Sequence, residues 1–175
     1  MNRFDTSDSC LPARSGANAG TMFGEGVYLA DDGAKADQYT RAADTSIQAG
    51  GSPLAALHTL LYPDGSLPAA GGVNYAFLCR VGLGCTIRTK DGRTCLDPGA
   101  ATDDKLFATA RRKQLGEIAG CTEPKVPYHS LLVELGGNIA RFREVVVFDG
   151  ARVYPEYLLA YSRLRESAEP EPEPQ

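Results

Sequence analysis

The 175-residue chain has no tryptophan, only two methionines and only two histidines, His58 and His129. Two imidazoles leave little room for a histidine-rich metal site or proton relay. No apolar run nears the ~20 residues that a membrane-spanning helix needs. The opening MNRFDTSDSC also lacks the apolar core of a secretory signal. The pattern predicts neither a membrane segment nor export. Five cysteines (Cys10, Cys79, Cys85, Cys95, Cys121) are odd in number and contain no C-x-x-C pair. Their spacing matches no zinc motif, so no metal site is expected. Free thiols in a reducing compartment follow, and with them an intracellular chain, nuclear or cytoplasmic. A basic excess is missing too: 18 Lys+Arg stand against 22 Asp+Glu, for a net charge of -4. Four of those acids (Glu166, Glu169, Glu171, Glu173) lie in the tail, so the body is close to neutral. Such a body does not hold nucleic acid by phosphate contacts.

Several reaction classes drop out for want of their motifs. The chain has no G-x-x-x-x-G-K-[ST] loop, no G-x-S-x-G and no H-E-x-x-H. Gly24-Glu25-Gly26 is followed by Val27, Tyr28 and Leu29, which is not a G-x-G-x-x-G fingerprint.

What is present suits one soluble domain, with 43% hydrophobic and 23% charged residues. FGEGVYLAD, Phe23 to Asp31, predicts a short strand entered through a close backbone approach. GAKADQYTRAA, residues 33–43, predicts a helix capped by Asp32. Residues 44–73, rich in Gly, Pro and Ala, read as a surface insertion with one helix between Pro53 and Pro63. NYAFLCRVGLG predicts a buried strand with Tyr75, Phe77, Cys79 and Val81 on one face. DDKLFATARRKQLGEIAG, Asp103 to Gly120, predicts a helix whose Arg111, Arg112 and Lys113 either form a solvated face, the commoner outcome, or bind phosphate. SLLVELGG, FREVVVFDG and RVYPEYLLAYSR are strand-like runs separated by turn signals. The end, residues 166–175, alternates Glu and Pro and reads as an extended tail. The order of elements predicts an α+β domain built mainly on antiparallel sheet.

Glu144 sits among apolar neighbours in the strand FREVVVF. One register turns Phe142, Glu144 and Val146 inward; the other turns Arg143, Val145 and Val147 inward. Alternation by itself leaves both open. An inward Glu144 demands an ion pair or an active-site role, because burying a lone carboxylate costs several kcal/mol. Tyr28 on the strand and Tyr39 on the helix admit two accounts as well. They are either core residues or aromatic walls around a planar ligand.

FGEGVYLADDGAKADQYT resembles the central signature of poly(ADP-ribose) polymerase catalytic domains. In that family a Phe-Gly-x-Gly-hydrophobic-Tyr strand leads into a helix carrying a lysine and a second tyrosine. FREVVVFDGARVYPEYLLAY resembles the family's closing segment, and YAFLCRVGLG and YHSLLVE resemble its middle strands, over roughly residues 16–163. The resemblance implies an ADP-ribosyltransferase-like fold and a reaction that transfers ADP-ribose from NAD to protein acceptors, releasing nicotinamide. It implies that Tyr28 and Glu144 are two members of the family's His-Tyr-Glu triad. Lys35 then lies beside the glutamate, Tyr39 stacks on the nicotinamide, and Gly24 and Gly26 border the NAD site. Ala36 stands where many members hydrogen-bond the carboxamide through Ser or Thr. A retained glutamate is compatible with polymer elongation. The family histidine lies some thirty residues before the tyrosine, whereas no histidine precedes Tyr28 here. The resemblance therefore implies an N-terminally incomplete domain over residues 1–165 that lacks its first strands. A non-catalytic binding module and an NAD glycohydrolase are the competing expectations.

Overall fold

The computed structural model describes residues 22–40, 53–64, 73–101 and 105–163. The predicted tail at 166–175, most of the 44–73 insertion and the opening loop lie outside the described residues. The chain divides into two compact units: residues 1–38 with 79–156, and residues 39–78 with 157–175.

The first unit is organised by a four-stranded sheet. Its strands are β1 (Val27–Leu29), β3 (Thr86–Thr89), β6 (Ser130–Val133) and β7 (Glu144–Val147), in the order β1-β7-β6-β3. β7 is antiparallel to both neighbours, while β3 and β6 run parallel. A parallel pair needs a long crossover. Here the crossover is residues 90–129, which include the antiparallel hairpin β4 (Glu117–Thr122) and β5 (Lys125–Pro127).

Register sorts the side chains into rows. Ile87 pairs with Leu131, Leu131 with Val146, and Val146 with Tyr28, so these four share one face. The next row on that face is Thr89, Val133 and Glu144. Ile87, Leu131, Val133 and Val146 have no exposed surface, and Leu106, Leu115 and Phe23 join them in the core. Each such side chain contributes about 1.5–3 kcal/mol by leaving water. The β-branched run Val145-Val146-Val147 favours the extended backbone and suits the centre of the sheet.

β1 is followed by α1 (Gly33–Asp37), whose cap is Asp32: its Oδ1 accepts from the Ala34 N–H at 2.8 Å. The cap is where the sequence places it, but the helix is shorter than residues 33–43, since Gln38 already ends it. In the second unit α2 (Pro53–Leu61) falls between the two prolines as expected. No helix among the described residues is long and apolar enough to cross a membrane.

β2 (Asn74–Val81) pairs with β8 (Val153–Tyr161) in a separate two-stranded sheet. The expected burial of β2 is corrected: Phe77 is 54% exposed and Leu78 53%. With one partner strand among the described residues, neither face of β2 gains the neighbours that a buried run implies. Tyr75 and Cys79 are half-buried. A short 3-10 turn, Gly150–Arg152, capped by Asp149, leads into β8 and occupies the predicted Asp-Gly-Ala turn.

The helix expected over Asp103 to Gly120 is absent from its described part, residues 105–120. An antiparallel bridge between Phe107 and Leu115 replaces it, with the Ala108 N–H donating to Gln114 O at 3.0 Å. Arg112 has φ 52, a left-handed conformation that no α-helix accommodates. Leu106 and Leu115 reach the core from the two ends of this loop, whereas Ala110 and Lys113 are exposed. The region lacks an unbroken apolar stripe, so core burial selects the loop over local helix propensity.

Candidate active site

The structure decides the register left open by the sequence: Glu144 faces inward, with 9% relative exposure, beside Val133 in β6. Its partner comes from α1. Lys35 Nζ lies 2.7 Å from Glu144 Oε1, and both side chains are largely shielded. The ion pair supplies the counter-charge without which the buried carboxylate is costly. A short helix entered directly from β1 brings Lys35 to the end of the neighbouring strand.

Tyr28 lies on the same face as Glu144, two residues along, opposite Val146. In antiparallel sheet such diagonal neighbours stand about 7–8 Å apart at Cα, within reach of one small group between them. The Tyr28 hydroxyl donates to Gly24 O at 2.8 Å and accepts from the Phe23 N–H at 3.0 Å. The tyrosine therefore ties strand β1 back to the turn that precedes it.

Gly24 and Gly26 in that turn owe their identity to close packing. A Cβ on Gly24 would stand 2.6 Å from Arg112 O, and its φ is 102. A Cβ on Gly26 would stand 2.7 Å from Val146 Cγ1 and 2.8 Å from Val147 O. Ala36 is exposed on α1. Tyr39 falls in the second unit and is 61% exposed.

Two features escaped the sequence. Arg143, next to Glu144, forms an ion pair with Asp31, which follows β1. Leu29 pairs with Val145, so two further steps set Asp31 opposite Arg143. That register is the signal that would have found the pair. The second feature is Arg112. Its Nη1 donates to Met22 O at 2.7 Å, its own carbonyl accepts the Glu25 N–H at 3.0 Å, and its guanidinium lies 5.3 Å from the Phe107 ring centre. The neighbouring Lys113 pairs with Glu25 at 3.0 Å, so the basic cluster is partly engaged within the protein. A left-handed non-glycine residue costs roughly 1–2 kcal/mol, which these contacts offset. Nothing in the local sequence announces it.

Elsewhere the polar groups serve the fold. Asp97 accepts from Arg88 through Nη2 at 2.6 Å and Nε at 3.0 Å, and this guanidinium holds its carboxyl below the usual range. The His129 Nδ1 accepts the Cys85 N–H at 2.9 Å. The four cysteines among the described residues, Cys79, Cys85, Cys95 and Cys121, are free thiols as expected. An open depression lined by Leu83, Thr86, Arg88, Leu132 and Val145 lies on the sheet face opposite Glu144.

No curated protein matches the chain. The family model for the poly(ADP-ribose) polymerase catalytic domain matches residues 10–163, nearly the whole chain. Its span includes the β1–α1 segment that carries Tyr28 and Lys35 and the β7 strand that carries Glu144, and the α+β architecture of mixed, mostly antiparallel sheets agrees with it. The chain belongs to the poly(ADP-ribose) polymerase catalytic-domain family, a family of the ADP-ribosyltransferase type.

Proposed function

We propose that the chain binds NAD and transfers its ADP-ribose to protein acceptors, releasing nicotinamide, with polymer elongation within its range. The observation that carries the reading is the shielded Lys35–Glu144 pair on the sheet face shared with Tyr28. A carboxylate kept inside an apolar wall with its counter-ion is costly to build and suits a site where positive charge develops.

In this reaction the N-glycosidic bond between ribose and nicotinamide breaks, and its electron pair leaves with nicotinamide. The acceptor's nucleophile forms the new bond at the same ribose carbon and loses its proton. The transition state resembles an oxocarbenium ion, as in glycoside hydrolysis. Glu144 stabilises that charge and orients the ribose hydroxyl and the acceptor. Lys35 holds the carboxylate in place, Tyr28 lines the nicotinamide side, and Tyr39 stacks on its ring. Gly24 and Gly26 keep the turn beside Tyr28 close to the sheet. With Ala36 in place of a hydroxyl residue, one carboxamide hydrogen bond is lost, worth about 0.5–1.5 kcal/mol.

The test is incubation with NAD labelled in the adenylate moiety, together with candidate acceptor proteins. Acceptor-bound label, released as single units or chains, supports the proposal. Label recovered only as free ADP-ribose identifies a glycohydrolase. Absence of both identifies a non-catalytic module of the same fold.

A further inference from the structure

We infer that Arg112 is a positioning residue for Tyr28, acting through the Met22–Glu25 turn. This rests on the reading above, in which Tyr28 lines the NAD site. Arg112 grips the turn at both ends: its Nη1 donates to Met22 O at 2.7 Å, and its carbonyl accepts the Glu25 N–H at 3.0 Å. Between those two anchors, the Phe23 N–H and the Gly24 carbonyl are the groups that hold the Tyr28 hydroxyl, at 3.0 and 2.8 Å. The turn is thus held from one side by Arg112 and from the other by the tyrosine.

The bracket has its own support. Gly24 has φ 102, and its Cα lies so close to the loop that a Cβ would meet Arg112 O at 2.6 Å and the Phe148 ring at 2.8 Å. The Arg112 guanidinium rests over the Phe107 ring, and Phe107 meets Phe148 edge-on at 6.1 Å. Phe148 directly follows β7, the strand that begins with Glu144. A continuous set of contacts therefore runs from β7 through Phe148, Phe107 and Arg112 to the turn and the Tyr28 hydroxyl. The sheet sets where the tyrosine ring stands, and the turn sets where its hydroxyl points. Without the guanidinium, the Met22 end of the turn loses its anchor, and the hydroxyl loses its fixed partners.

The backbone of Arg112 makes the experiment discriminating. At φ 52 glycine is the residue of least strain. If Arg112 merely filled a left-handed position, Arg112→Gly should leave the turn intact and the Tm equal or higher. If the guanidinium positions Tyr28, Arg112→Gly should accelerate amide hydrogen exchange at Phe23 and Glu25 by about tenfold or more. It should also raise KM for NAD about tenfold while changing kcat less than about threefold, a split expected from lost ground-state positioning. Arg112→Lys, which keeps a donor, should recover part of both effects.

Tyr28→Phe removes the acceptor of the Phe23 N–H and should accelerate exchange at that amide by itself. The double variant Arg112→Gly/Tyr28→Phe should exchange no faster at Phe23 than the faster single variant, because both changes release one turn. Additive effects, or unchanged exchange at Phe23 and Glu25 in Arg112→Gly, would overturn the inference. Wild-type protein that neither binds nor consumes NAD would overturn the transferase reading instead. The exchange measurements still decide the bracket in that case.

Discussion

Lys35 and Glu144 stand 2.7 Å apart across the junction of α1 and β7, while Asp31 and Arg143 pair beside them with the signs reversed. Each segment thus contributes one acid and one base, and each acid meets the other segment's base. The exposed Asp31–Arg143 pair is worth at most about 1 kcal/mol. The shielded pair is a different matter, since either partner left alone is an uncompensated charge in an apolar wall.

Glu144→Gln is therefore expected to lower ADP-ribose transfer by about 100-fold or more. NAD affinity should change little, because the neutral amide keeps the shape of the site. Single-turnover rates and equilibrium NAD binding measured on the same protein check the split. Unchanged turnover would remove Glu144 from the chemistry.

Tyr39→Ala is expected to weaken nicotinamide-like inhibitors by roughly tenfold, in keeping with about 0.5–1.5 kcal/mol for an aromatic stack beyond its buried area. Calorimetric titration with nicotinamide tests this. Equal inhibitor affinity would remove the stacking assignment.

Gly26→Ala forces a methyl to within 2.8 Å of the Val147 carbonyl, which is ladder backbone and has little freedom to retreat. A loss of about 1–3 kcal/mol is expected. Gly33→Ala is the contrasting case, since nothing lies within 4 Å of its added Cβ. In the first turn of α1 it should stabilise by about 0.4–1 kcal/mol through a less flexible unfolded chain. Urea denaturation of the two variants should move the midpoints in opposite directions.

Asp91 gives the fold a pH dependence. Its carboxylate accepts from the Thr94 N–H at 2.7 Å and the Arg93 N–H at 2.8 Å, and these donors hold it well below the usual carboxylate range. A carboxyl depressed in the folded state contributes fully above its unfolded value, about 3.9, and loses that contribution as pH falls through the folded one. Asp91→Asn should accordingly lower Tm by roughly 2–4 °C at pH 7. The gap to wild type should narrow as pH drops below about 4. A constant gap from pH 7 to pH 3 would show that the carboxylate's charge is irrelevant.

Much of the site could be read from local chemistry. The Gly-x-Gly turn, the apolar Val27-Tyr28-Leu29 strand and the Asp32 cap all act within a few residues, and each appears where the sequence predicts it. The run Val145-Val146-Val147 likewise declares a strand by its β-branching. Errors arose where local preference met distant packing. Residues 105–120 have helix-compatible composition, yet Leu106 and Leu115 are both drawn into the core from opposite ends of a loop. β2 reads as a buried strand, yet its exposure depends on how many strands flank it, which its own residues do not encode.

The sequence by itself determined that the segments of β1, β2, β6, β7 and β8 are extended, where α1 begins and that a carboxylate would sit in a β-branched strand, but not β3, β4 or β5. Only the tertiary structure decided that Glu144 points inward, because a period of two is symmetric and both registers satisfy it. Pairing with β1 and β6 breaks that symmetry: Tyr28, Leu131 and Val146 must share the core face, and Glu144 goes with them. The fold then supplies Lys35 as counter-ion and Arg112 as the brace of the Tyr28 turn. Neither contact has a local signature, since each joins segments remote in the chain and close only after the sheet has formed.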